Sequence, residues 1–142
     1  MILSQTSIYA IRAVIHLAEA GGDGPVRVDD IAEALEVPRN YLSKILHGLT
    51  RTGLLESTRG PKGGFVLARA PGRIRLSDVI EPFDDIAGSS GCLLGRARCS
   101  DANPCPAHAR WRDVSMQVRA FLANTTMEDL ANDPANRAAL EV

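Results

Sequence analysis

Apolar residues recur at helical spacing through the first third of the chain and then switch to strand spacing, and this change of period frames the fold. Between Ser4 and Ala20, residues Ile8, Ile11, Val14, Ile15 and Ala18 follow the i, i+3, i+4, i+7 rule of a helix that buries one face. Gly21-Gly-Asp-Gly-Pro25 ends it. A second, short helix is expected with Asp29 or Asp30 as its N-terminal cap and Ile31 and Leu35 inward. After the interruption at Glu36-Val37-Pro38, a third helix runs from Pro38 or Arg39 to Arg51, burying Leu42, Ile45, Leu46 and Leu49, with Gly53 as its stop. Leu54 to Thr58 and Gly64 to Ala68 then read as strands on either side of Arg59-Gly-Pro-Lys-Gly63, a hairpin with a cationic, glycine-rich tip.

Two short helices joined by a tight turn and followed by a basic hairpin make a winged helix-turn-helix, a composite far more specific than any of its parts. Further on, Ile74 to Leu76 could add a short strand, and Ser77 is expected to cap a helix through Val79, Ile80 and Phe83. Pro106 fits the first position of a long helix reaching about Ala123, with an apolar stripe at Trp111, Val114, Val118, Phe121 and Leu122. Thr126 and Asp129 have the spacing of a capping box for a short helix from Met127 to Leu130, and residues Asp133 to Val142 read as a frayed helical tail. The expected fold is mainly α with a small β-hairpin wing. Residues 1–76 form the winged helix-turn-helix domain, and residues 77–142 hold a cysteine loop at 92–108 and a dimerisation helix. A long amphipathic helix beyond a compact domain needs a surface to bury against. The same helix of a second subunit is the economical choice, with Trp111, Val114, Val118 and Phe121 at the interface of a homodimer.

Charge sharpens the picture. The formal net charge is only -1, yet residues 38–75 hold eight cations against one acid, Glu56. Such a surplus fits phosphate. Double-stranded DNA is the expected partner: Arg39, Asn40, Tyr41, Ser43 and Lys44 crowd the first turns of the third helix, where a recognition helix meets base edges. Arg59 and Lys62 at the wing tip would contact the backbone or the minor groove. His16 and His47 are read as a core-edge and a surface residue. No apolar run reaches the roughly 18 residues of a membrane span, and the first residues lack a basic, cleavable leader pattern, so a cytoplasmic location without membrane contact is expected.

All three cysteines and one of three histidines fall in one glycine- and proline-rich stretch with the spacing Cys92-x6-Cys99-x5-Cys105-x2-His108. An odd cysteine count in one cluster makes no closed disulfide framework. Cys105 and His108, at i and i+3, would share one helix face beside a helix N-terminus that favours thiolate. The stretch suits a metal or a redox reaction. Zinc, a clusterless thiol sensor and an iron–sulfur centre are the three candidates; zinc sites usually bring in Cys-x2-Cys knuckles, and two of the three intervals here are wider. Enzymatic function has little support, because the Gly60–Gly64 turn lacks the ending of a phosphate loop and nothing assembles an oxyanion site around the cysteines.

With wing and cysteine loop in hand, nearly the whole chain resembles the IscR/NsrR-like family of winged-helix iron–sulfur transcription regulators. The resemblance is carried by Tyr9-Ala10, Tyr41-Leu42, Gly53-Leu54, the wing Arg59-Gly-Pro-Lys-Gly-Gly64, the cysteine loop with His108-Ala-Arg-Trp-Arg-Asp113, and Thr126-Met-Glu-Asp-Leu130. It implies a homodimeric regulator whose operator binding reports on cluster supply, nitric oxide or oxidants. His108 matches the IscR-like histidine ligand, so Cys92, Cys99, Cys105 and His108 are the implied ligands, of a 2Fe–2S centre in preference to a 4Fe–4S one. The chain departs from the pattern at three places. The first cysteine interval is six rather than five residues, Ile8 stands where some relatives carry an acidic ligand, and Ser43 replaces a longer side chain of the recognition helix. The alternative reading is a winged-helix regulator without a cluster, responding to thiol oxidation, a metabolite or a partner protein.

Overall fold

The computed structural model of the protein describes residues 3–85, 92–97 and 100–134. Helix α1 (Gln5–Glu19) opens where the Ser4 hydroxyl accepts the Ser7 backbone N–H at 3.2 Å. Its buried face is Ser7, Ala10, Ala13, Val14, Ile15 and Leu17, whereas Ile8, Ile11 and Ala18 are only half-buried. The expected face is rotated because α1 is packed by α3, α4 and α6 at once. Small residues at 7, 10 and 13 admit those neighbours closely, and the isoleucines are left at the flanks.

Helix α2 (Val28–Leu35) starts from Arg27, so Asp29 and Asp30 lie in its first turn rather than at the cap. There they face the positive end of the helix dipole. Glu36 closes α2 in the left-handed region at φ 55°, and Val37, buried, returns its N–H to the Ala32 carbonyl at 3.0 Å. Helix α3 (Arg39–Arg51) ends by the same device with Gly53 at φ 81° and Leu54 bonded back to Leu49 at 3.1 Å, which confirms the glycine stop. Leu42, Ile45, Leu46 and Leu49 are all buried as the periodicity requires.

The wing is the antiparallel pair β1 (Leu55–Thr58) and β2 (Gly64–Leu67), in register from Leu55 opposite Leu67 to Thr58 opposite Gly64. Its turn needs its glycines. A Cβ on Gly63 would stand 2.1 Å from the Thr58 carbonyl oxygen, and one on Gly64 would stand 2.4 Å from that of Val26. Val26 crowds this point because it forms a bridge with Phe65 that ties the wing to the segment before α2.

Ile74–Leu76 forms no strand of its own. Arg75 makes an isolated bridge with Thr126, with Leu76 bonded to Thr125 at 2.9 Å and Met127 to Ile74 at 2.8 Å. Helix α4 (Leu76–Ile80) is opened by the Asp78 carboxylate, which accepts the Arg75 N–H at 3.0 Å, and Ser77 lies inside it instead of capping it. Helix α5 spans His108–Asn124. Pro106 is not its first residue: Cys105-Pro106-Ala107-His108 forms a turn, with the His108 N–H on the Cys105 carbonyl at 3.0 Å and Ala107 at φ -95°, ψ -1°. The values at Ala107 match the third position of a type I turn, whose second position proline also suits, so both placements ask the same φ of Pro106. Helix α6 (Met127–Asn132) has the expected capping box, with Thr126 N–H on Asp129 at 2.9 Å and Asp129 N–H on the Thr126 hydroxyl at 3.1 Å. The expected helical tail lies outside the described residues beyond residue 134. One core runs from Ala10 and Val14 through Leu46 and Leu49 to Ile80, Leu122 and Met127.

Candidate nucleic-acid interface and cysteine loop

Arg39, Asn40, Lys44, His47 and Arg51 form the exposed side of α3, with Ser43 half-exposed among them. Arg39, Ser43 and His47, four residues apart, face the wing. With Arg27, Asp29 and Arg59 they line a groove of about 460 Å³ between α3, the start of α2 and the hairpin. The His47 ring meets Phe65 of β2 edge-on at 5.7 Å, which sets the distance between helix and wing. Arg59 and Lys62 stand exposed at the wing turn. Tyr41 leaves this group. Its hydroxyl meets that of Thr6 and its ring packs edge-on against Tyr9 at 5.8 Å, so it sits at the α1–α3 junction beside the groove. Arg39 is engaged too, through its Nε–H to the Asp29 carboxylate. Arg27, Asp29 and His47 were not singled out from sequence as parts of the interface; the i, i+4, i+8 run from Arg39 was the available signal for His47.

The cysteine loop is built from short local turns. Gly95, at φ 86°, lets its N–H reach the Cys92 carbonyl at 2.9 Å, and the Arg96 guanidinium donates to the Asn103 carbonyl at 2.9 Å. The Arg96 backbone N–H, and next that of Leu94, hydrogen-bond the Cys92 sulfur and hold its pKa below the ordinary thiol value, aided by a contact with the Cys105 thiol and by the Arg96 charge. Burial opposes the shift, by more than the Cys105 contact or the Arg96 charge adds to it. Cys105 is buried, Cys92 is half-buried, and neither is in a disulfide. His108 is buried at the start of α5, its Nε2 2.7 Å from Asp101, and Arg112 Nη1 bridges both oxygens of the same carboxylate at 2.7 and 2.8 Å. The His108 hydrogen bond first, then the Arg112 pair, keep the Asp101 pKa below its usual value. Cys99 lies outside the described residues. Among the described residues no three acidic, cysteine or histidine side chains converge closely enough to hold a metal ion.

Two features of the donor set fit an iron–sulfur centre all the same. Cys92 sits where the backbone N–H groups of Arg96 and Leu94 favour its thiolate form, the form in which a cysteine holds a cluster. Asp101 holds the His108 ring through Nε2, as carboxylates do for metal-ligating histidines.

Helix α5 is sparsely covered. Only His108 and Leu122 are buried along its 17 residues, while Val114 is 50% exposed and Met116 and Phe121 are each 57% exposed. Val118 is half-buried against the core, and Trp111 is half-buried beside Arg112 and Ser115. Met116 was not among the expected interface residues.

Residues 3–133 match the family model Rrf2, described as iron-dependent transcriptional regulators. The chain belongs to the Rrf2 family. The HTH-type transcriptional regulator IscR of Xenorhabdus nematophila is 34% identical over 142 residues, covering 100% of this chain and 84% of that protein. Among solved structures, IscR of T. potens superposes with a TM-score of 0.77 at 28% identity, covering 97% of this chain and 90% of the other. CymR, the global cysteine regulator of B. subtilis, superposes with a TM-score of 0.73 at 27% identity, covering 92% and 96%. As an Rrf2 protein the chain is an IscR-like, DNA-binding winged-helix transcription regulator and not an enzyme. No helix among the described residues is long and apolar enough to cross a membrane.

Proposed function

We propose that this Rrf2 protein is a homodimeric operator-binding regulator controlled by an iron–sulfur centre, 2Fe–2S in preference to 4Fe–4S, held by Cys92, Cys99, Cys105 and His108. The observation that carries the reading is the buried His108 ring, held at Nε2 by Asp101, three residues after the buried Cys105. An iron–sulfur centre, when bound, supplies iron that reacts with nitric oxide and oxidants and whose occupancy follows iron supply. The chain's own residues do the rest. Ligation would pin residues 92–105 to the turn that opens α5, replacing many loop conformations with one. Helix α5, through Trp111, Val114, Val118 and Phe121, would set the separation of two recognition helices at about 34–36 Å, the repeat of B-DNA. Residues 1–76 would carry DNA reading, with Arg39, Asn40, Ser43 and Lys44 toward the bases, Tyr41 at the edge and Arg59 and Lys62 on the backbone. Residues 77–142 would carry sensing and dimerisation.

A second reading has a specific observation in its favour. The Cys92–Cys105 contact is also that of a thiol switch, in which the two thiols give two electrons and two protons to a peroxide and become a disulfide, the peroxide leaving as water. The structural likeness to CymR of Staphylococcus aureus, which has been solved in an oxidized form, supports it. Protein purified without oxygen separates the two. Visible absorption together with protein-bound iron and acid-labile sulfide, all lost in Cys92→Ala, supports the cluster; colourless protein that forms an intramolecular disulfide with peroxide supports the switch.

A further inference from the structure

We infer that Asp29 is a positioning residue for DNA reading: it fixes the Arg39 guanidinium toward the base edges, at a cost in phosphate attraction. The inference deepens the DNA-binding role of the groove and rests on it. Arg39 is the first residue of α3, the part of a recognition helix that meets base edges, and Asp29 lies in the first turn of α2. The Arg39 Nε–H donates to Asp29 Oδ1, with the two side chains 58% and 52% exposed. So exposed a pair adds little to stability. Asp29 is also badly placed for binding in general, because it puts a negative charge into the groove where Arg27, Arg39 and Arg59 converge and where phosphate must come.

Orientation resolves the contradiction. An arginine carries five N–H donors in a rigid planar fork on a long, mobile stem. With Nε–H held by Asp29, the stem is restricted before DNA arrives, and the outward N–H groups of the two terminal nitrogens stay available. Those two groups are the ones that pair with O6 and N7 of a guanine, the commonest arginine contact to a base edge. Held in advance, Arg39 gives up less entropy on binding and is kept from settling on a neighbouring phosphate. Asp29 thus trades general affinity for discrimination at one guanine of each half-site.

The test uses the intact protein and a random double-stranded DNA library to enrich a site. Affinities are then measured for the enriched duplex, for versions replaced base by base, and for an unrelated duplex. Wild type should prefer guanine at one position of each half-site by about 10- to 100-fold, and Arg39→Ala should flatten that position alone. Asp29→Ala should erode the same preference several-fold yet bind the unrelated duplex about two- to fivefold tighter at low salt, a gain that shrinks as salt is added. Asp29→Asn, whose amide oxygen still accepts from Nε, should keep the preference and share the gain. A structural tie would behave differently: Asp29→Ala would weaken every duplex equally, and that result overturns the inference. So does an unchanged base preference in Arg39→Ala accompanied by a shallower salt dependence, which would put Arg39 on phosphate. Failure of the wild-type protein to enrich any duplex would instead remove the DNA-binding role itself.

Discussion

Asp84 shows how a single carboxylate can seat an element. Its Oδ2 accepts the Ser4 N–H and hydroxyl at 2.9 Å each and the hydroxyl of the fully buried Ser7 at 2.5 Å, joining the start of α1 to the chain beyond α4. Burial works to raise its pKa, but these hydrogen bonds together outweigh it, and the pKa lies below the ordinary carboxylate value. A folded pKa below the unfolded one means stability that is present in full above about pH 4 and lost as pH falls through the folded value. Wild type should therefore exceed Asp84→Asn in stability at neutral pH, and the gap should close below pH 4 in urea titrations run across pH. A constant gap at every pH would show that charge is not what Asp84 contributes. Glu36 is the opposite case, the single non-glycine residue at positive φ among the described residues. Its left-handed backbone costs a side chain about 1–2 kcal/mol, so Glu36→Gly should raise the unfolding temperature by a few degrees despite the glycine's greater entropy when unfolded.

The wing and the long helix are elements whose roles differ in kind. In the wing, Arg59 and Lys62 stand exposed over a backbone that Gly63 and Gly64 alone can trace. Arg59→Ala and Lys62→Ala should weaken binding to all duplexes alike and each lower the slope of log affinity against log salt by about one unit, since each lost phosphate contact releases about one fewer counterion. An unchanged slope would place the wing off the DNA. Helix α5 has the reverse composition, with Val114, Met116 and Phe121 about half exposed on a helix that buries only its two ends. Phe121→Glu should turn a dimer into monomers in sedimentation and reduce affinity for a two-half-site duplex by much more than for a single half-site. A variant that stayed dimeric would move the interface elsewhere.

At the scale of the molecule, the loop at residues 92–105 and the recognition helix α3 are far apart along the chain. The two are linked through α5, α4 and α1, which share one core with the recognition helix. Pinning the loop to α5 should change operator affinity by about 1–3 kcal/mol, the usual size of coupling between two sites. The measurement compares iron-loaded protein, iron-stripped protein and a Cys92→Ala, Cys99→Ala, Cys105→Ala variant on one duplex at one salt concentration. The stripped protein and the triple variant should agree with each other and differ from the loaded form. Equal affinity in all three would leave the loop a structural element with no part in switching.

Much of this architecture was legible before any coordinates. The buried positions of α3, the Gly53 stop, the wing with its glycines and the capping box at Thr126 are each set by contacts within a few residues, or by a φ value that one residue type tolerates, and such constraints are written in neighbouring letters. The recognition of the family rested on the same local signatures. What needed the tertiary structure lies at longer range: Arg39 on Asp29, ten residues away; Tyr41 on Thr6, thirty-five away; Asp84 on Ser4, eighty away. The rotated face of α1 is of this kind, since the elements packing around it from several sides decide which side is inside. So is the start of α5, because a proline with φ near -65° serves a type I turn and a first helical turn equally, and only the packing of Cys105 and His108 chose between them. Periodicity and turn chemistry report energies that a chain settles with itself nearby. Which polar groups find each other depends on where packing brings distant segments, and no local pattern encodes that.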